Sequence, residues 1–173
     1  FFMYKKSPSN ENMIFGVSFN PAQARLLGED PKMIFNFLAD DLKFKYVRLS
    51  AQWDEIEKTR GQYDFAELDY YIAQSQEKEM KVILALGRKT PRWPECHLPS
   101  WAQSLEYKDY RVDLLNYLKA VAARYKNSSA VEIWQVENEP FFVYGKCGKM
   151  SADDLKEEIN LVKNISPNKP TLT

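Results

Sequence analysis

The chain has 173 residues, 45% of them hydrophobic and 28% charged, a composition of one globular domain or part of a larger one rather than of a disordered segment. Lys and Arg number 24 against 24 Asp and Glu, a formal charge of zero, so the basic excess of a nucleic-acid binder is missing and no nucleic-acid partner is expected. A single His and two Cys exclude a multi-histidine metal site and a four-cysteine zinc site, and neither a metal nor a cofactor is expected.

The chain opens Phe1-Phe2-Met3-Tyr4-Lys5-Lys6 and turns polar from Ser7 to Asn12. Residues 1–12 read as a tail or as the remnant of a signal peptide or membrane anchor upstream, or else as an arbitrary boundary. No run of about 18 to 20 apolar residues is long enough for a complete membrane span. Met13 to Asn20 reads as a first strand, ended by Asn20-Pro21. Asp30-Pro31 is an N-cap followed by Pro at the first helical position, and Met33, Ile34, Phe37, Leu38 and Leu42 continue at helical spacing, which predicts a helix over 31–43. Tyr46 to Ser50 is the second strand, and Phe65 to Met80 the second helix, with Leu68, Tyr71, Ile72 and Ser75 inward.

Lys81 to Gly87 is almost uniformly apolar, as befits a strand of a parallel sheet covered on both faces. A long loop runs from Arg88 to Trp101, and Tyr110 to Tyr125 is a third helix. Ala130 to Val136 is the fourth strand. Ser151 with Asp154 three residues on forms an imperfect capping box for a fourth helix that reaches about Asn164, and a fifth strand begins near Pro170.

Four βα units and the start of a fifth imply a parallel α/β sheet. A doubly wound open sheet and the first half of a (β/α)8 TIM barrel both fit. No Gly-x-Gly-x-x-Gly follows the first strand and no phosphate loop appears, which removes support from a nucleotide-binding open sheet. Polar residues gather just after strand ends, where a barrel places its active site. Residues 13–173 thus read as part of a barrel domain.

The sharpest feature is Trp134-Gln135-Val136-Glu137-Asn138-Glu139-Pro140, which closes the fourth strand with two carboxylates around an amide. If the strand stays extended, Glu137 and Glu139 share a side and Asn138 takes the other, unless a bulge intervenes. A Glu partly buried at a barrel mouth has its pKa raised, as a general acid requires.

Asn138-Glu139-Pro140 at the end of a fourth parallel strand resembles the acid/base motif of the clan A glycoside hydrolases, retaining (β/α)8-barrel enzymes that include cellulases, mannanases, xylosidases and β-galactosidases. The resemblance implies Glu139 as general acid/base and Asn138 as the donor to the substrate 2-hydroxyl. It gives Arg48, at the end of strand two, a hydrogen bond to the nucleophilic carboxylate. Phe15 to Phe19, the stretch from Trp53 to Phe65 and its turn Gly61-Gln62-Tyr63-Asp64-Phe65 are similar to family-five or family-thirty-nine members. The clan's nucleophile is a Glu at the end of strand seven, and this chain stops before strand six, so the chain alone is expected to be inactive.

Around this motif, Glu137 and Trp134 are expected in supporting roles, Trp134 mostly in the core. His97, Trp93 and Trp53 are expected to contact substrate, since sugars stack on exposed aromatic faces. Phe141, Phe142 and Tyr144 are candidates for the cleft wall. Cys96 and Cys147 fall in loops after successive strands, which lie side by side in a barrel, so a disulfide is expected if the chain works outside the cytoplasm; the alternative is two free thiols in a cytosolic protein. The expected function is a retaining hydrolase of β-linked poly- or oligosaccharide, extracellular or anchored at the cell surface. The alternative is a non-catalytic carbohydrate-binding or structural half-barrel.

Overall fold

A computed structural model describes residues 13–143 and 147–173. The stretch read as a tail or anchor remnant and Tyr144 lie outside the described residues. Five parallel strands follow one another in sheet order: β1 (Gly16–Ser18), β2 (Tyr46–Ser50), β3 (Lys81–Leu86), β4 (Val131–Val136) and β5 (Thr171–Leu172). A doubly wound sheet reverses its order after the first strand; this sheet does not, and its sequential order is that of a barrel segment.

Helices connect the strands: α1 (Pro21–Leu26), α2 (Pro31–Asn36), α3 (Trp53–Ile56), α4 (Ala66–Glu77), α5 (Tyr107–Tyr125) and α6 (Ala152–Ile165). Their starts are set by polar caps. Asn20 accepts the Gln23 N–H at 3.1 Å, Asp30 accepts the Lys32 N–H at 2.8 Å and Ser151 accepts the Asp154 N–H at 3.0 Å, each satisfying a donor that the helix leaves unpaired. The Ser151 hydroxyl also donates to Asp154 Oδ2, so the two side chains engage each other without the backbone bond of a full capping box.

The structure departs from the sequence reading at the edges. β1 is shorter than 13–20 because Asn20 caps α1, a short helix that the pattern does not predict. The helix expected over 31–43 ends in a wider turn over Phe37–Asp41, where the Leu42 N–H reaches back to the Phe37 carbonyl. A single turn, α3, occupies the stretch read as loop after β2, and α5 starts three residues early.

Strand register fixes which residues share a face. Leu49, Leu84 and Trp134 are register partners across β2, β3 and β4. All three are buried in one core with Leu68, Tyr71 and Ile72 of α4, Leu114, Leu118 and Val121 of α5, and Leu155 and Val162 of α6. The alternate residues form the other face: Arg48, Ile83 and Ile133 in one row, then Ser50, Ala85 and Gln135 nearer the C-terminal strand ends. An irregularity between Val82 and Ile83 shifts the β3–β4 pairing by one residue, and only with that shift does Gln135 fall in the row above Arg48.

Candidate active site

The C-terminal ends of β3 and β4 are locked together by backbone. The Glu137 N–H donates to the Leu86 carbonyl and the Asn138 N–H to the Lys89 carbonyl, each at 2.8 Å. Gly87 has φ of 128°, a conformation that favours glycine, and a Cβ there would lie 2.5 Å from the Glu137 carboxyl carbon. The space that glycine leaves is filled by that carboxylate. Its Oε1 accepts the Arg88 N–H at 2.9 Å and its Oε2 the Lys89 N–H at 2.7 Å.

Two cations brace this cradle without pairing with it directly. Lys89 is buried, and its ammonium donates to the carbonyls of Glu139 at 2.6 Å and Phe142 at 2.8 Å. Arg88 is buried too. Its guanidinium donates to the Tyr110 hydroxyl and to the carbonyls of Cys147 and Lys149. The two residues therefore fasten the loop after β4 to the loop after β3, a role invisible in sequence because their acceptors are backbone carbonyls about 50 to 60 positions away.

The motif does not remain extended. Glu137 and Glu139 both adopt positive φ, 60° and 49°, so the alternation expected of a strand fails here and the two carboxylates part. Glu137 is 0% exposed, and burial raises its pKa against the opposing pull of the backbone donors and Arg88. Glu139 is exposed and lines a cleft of about 630 Å³ with Ser18, Gln23, Arg48, Arg92, Trp93, Glu95 and Asn138. The burial expected of the acid/base Glu falls on its neighbour instead.

Arg48 and Asn138 meet through Gln135, which sequence reading passed over. Arg48 Nη1 donates to Gln135 Oε1 at 3.5 Å, and Gln135 Nε2 donates to Asn138 Oδ1 at 3.0 Å. The second bond engages the Asn138 oxygen and leaves its amide nitrogen as the end that can donate elsewhere. Arg48 Nε is held by the Ser18 hydroxyl at 2.9 Å. Burial first, then the nearby Arg92 charge, lower the Arg48 pKa.

Other expected site residues separate from the cleft. Trp53 is corrected: it is 0% exposed, its indole N–H donates to Glu57 Oε2 at 2.6 Å, and its ring stacks on Tyr117. No face is left for a sugar. His97 is 3% exposed, with its ring 3.2 Å from Gln52 Nε2 and 3.4 Å from Asp54 Oδ2; it lines a second pocket with Trp93 and Pro94, beside the cleft of Glu139 and not in it. Trp93 is 73% exposed and belongs to the cleft wall. Trp134 lies wholly in the core, and Phe141 and Phe142 are exposed. Cys96 and Cys147 form a disulfide with a Cα separation of 5.2 Å, which ties the loop carrying Trp93 to the segment that follows Glu139.

The five-stranded βα segment, with an Asn-Glu pair at its C-terminal edge and an Arg one row below, matches part of the (β/α)8 barrel of the clan A glycoside hydrolases. Within that clan the chain belongs to glycosyl hydrolase family 10, whose model matches residues 16–157. Endo-1,4-beta-xylanase 2 of Claviceps purpurea is 27% identical over 109 residues, which span 62% of this chain and 31% of that one. Among solved structures, native xylanase 10B of Thermotoga maritima matches with a TM-score of 0.66 at 18% identity, over 91% of this chain and 48% of that chain. Exo-beta-1,4-mannosidase Op5Man5 of Opitutaceae bacterium strain TAV5 matches with a TM-score of 0.73 at 16% identity, over 93% and 32%. The chain thus spans about a third of the curated relative (31%) and under half of these structures. A family 39 glycoside hydrolase from Bacteroides cellulosilyticus shares the fold, with a TM-score of 0.60 at 20% identity over 90% of this chain and 30% of that one.

Proposed function

We propose that the protein is a retaining O-glycoside hydrolase of β-linked poly- or oligosaccharide, with Glu139 as its general acid/base. The observation that carries this reading is the meeting of Arg48, Asn138 and Glu139 in one cleft at the C-terminal strand ends. Glu139 gives its proton to the glycosidic oxygen as the bond from that oxygen to C1 breaks. A second carboxylate attacks C1 from the opposite face and forms a covalent glycosyl-enzyme. Glu139, now ionised, takes a proton from the water that releases the sugar. The two carboxyls of this mechanism stand about 5–5.5 Å apart, and clan resemblance assigns the second to a seventh strand.

Asn138 is suited to donate to the 2-hydroxyl, because Gln135 holds its oxygen. Arg48 is suited to the nucleophile, and Trp93 offers an exposed ring for stacking. The xylanase relative makes a β-1,4-linked xylan the first substrate to assay. The Cys96–Cys147 bridge supports work outside the cytoplasm, where such bonds persist.

The test is E139Q. With an unactivated β-glycoside, kcat/KM should fall by about 10²–10⁴, the range that general acid assistance supplies. Wild-type turnover in that variant would refute the assignment. Retained sugar binding with no hydrolysis by the unmodified protein would favour a non-catalytic carbohydrate-binding barrel.

A further inference from the structure

Beneath the loop of Glu139 lies a carboxyl that the proposed chemistry leaves unused. Glu158, on α6, is 0% exposed. Its Oε1 accepts from Arg111 Nη1 at 2.5 Å, while its Oε2 is buried with no donor. The Glu158 side chain is within hydrogen-bonding reach of Glu137, whose own oxygens already hold the Arg88 and Lys89 amides. Two ionised carboxylates in contact and out of water repel each other, and a buried acceptor without a donor is unfavourable. A single proton removes both penalties, because it turns Glu158 Oε2 into a donor towards Glu137.

We propose that Glu158 is held as the neutral acid and donates its proton in a hydrogen bond to Glu137, making the two carboxyls positioning residues for Glu139. The positioning role rests on the acid/base reading of Glu139. Burial first, and the Glu137 charge second, push the Glu158 carboxyl upward. The surrounding charges agree. From the loop after β3, Lys89 and Arg88 face the pair; the Lys89 ammonium and the Arg88 Nη atoms are committed to the Tyr110 hydroxyl and backbone carbonyls, while Arg88 Nε is buried without a hydrogen-bond partner and its charge favours the ionised form of Glu137 alone. From α5 come Tyr117, Arg111 and Tyr107, whose buried hydroxyl has no hydrogen-bond partner. Arg111 is the cation in direct contact with Glu158, and it is shared with Asp154 and Glu157 of α6, so acids outnumber the cations that reach them.

The consequence for the site runs through the backbone. The proton keeps Glu137 seated over Gly87, the seated carboxylate holds the amides of Arg88 and Lys89, and Lys89 holds the carbonyl of Glu139. Ionising Glu158 sets a second negative charge against that seat. A carboxyl raised in the folded state contributes stability at low pH, and that stability is lost as pH climbs from the ordinary carboxyl range through the folded value.

E158Q separates the possibilities, since Gln keeps an oxygen for Arg111 and supplies a permanent N–H donor for Glu137. At pH 7 the unmodified protein should show the infrared band of a buried protonated carboxyl, absent in E158Q. Its unfolding should release about one more proton than that of E158Q. E158Q should keep kcat, whereas E158A should lose about tenfold or more in kcat with little change in KM. If E158A does not fold, the proton count and the band still decide. No band, equal proton release, or unchanged kcat in a folded E158A would each overturn the proposal. A protein that hydrolyses no β-glycan would overturn the acid/base reading and the positioning role with it, while the band would still decide on the shared proton.

Discussion

Glu137 and Glu139 are two residues apart in one motif, yet one is sealed into the floor of the cleft and the other stands at its open face. On the floor, both oxygens of Glu137 accept backbone amides, and the strand end around it is fixed by Gly87, Lys89 and Arg88. At the rim, Glu139, Arg92, Trp93 and Glu95 line open space. Residue type does not decide which carboxylate does chemistry. The floor carboxylate has no lone pair directed to a substrate, and the rim carboxylate owes its position to backbone that the floor holds still.

The disulfide joins the two regions and gives the largest expected change in stability. In the chain-entropy model, closing a loop of 51 residues stabilises by about 4 kcal/mol. A C96S/C147S double variant should therefore unfold at lower denaturant, by about that amount. If the variant matched the parent, the rim would be held by the floor alone. Next comes G87A, which forces a Cβ into the Glu137 carboxyl at a positive φ. Strain and overpacking together should cost about 3 kcal/mol. A G87A protein of undiminished stability would show that the cradle is looser than described. Smallest is a paired test of two tryptophans. W53F leaves Glu57 Oε2 without its indole donor and should cost about 1–3 kcal/mol with KM unchanged. W93A should leave stability within about 0.5 kcal/mol and raise KM for oligosaccharide. Exchange of these two outcomes would reverse the assignment of the two rings.

The succession of strands was legible because β3 and β4 are apolar runs bounded by turn residues, and because the register of a parallel sheet needs no side-chain detail. Asp30 and Ser151 announced helix starts, whereas Asn20, read as the end of the first strand, caps a helix that the pattern did not predict. The place of Asn138 and Glu139 just after β4 was legible, and they share a cleft with Arg48, which was read as ending strand two but lies in its middle. Trp53 was misread because a tryptophan near a strand end looks the same in sequence whether it faces solvent or Tyr117; the one-turn helix α3 turns it inward. Lys89 and Arg88 gave no signal at all, since two cations after a strand ordinarily face water and their partners are carbonyls. A glycine closing an apolar run immediately before two cations was the one local hint of a backbone cradle. Gln135 was missed because its importance comes from a register shift at Val82 and Ile83.

The division of labour between the two carboxylates is tested most directly by the leaving-group dependence of E139A and E137A. In E139A, hydrolysis of aryl β-glycosides with good leaving groups should survive far better than that of natural glycosides, and added azide should restore turnover by releasing a β-glycosyl azide. E137A should lose activity on both substrate types together, in step with its stability, and azide should not restore it. Azide rescue in E137A and none in E139A would contradict the account.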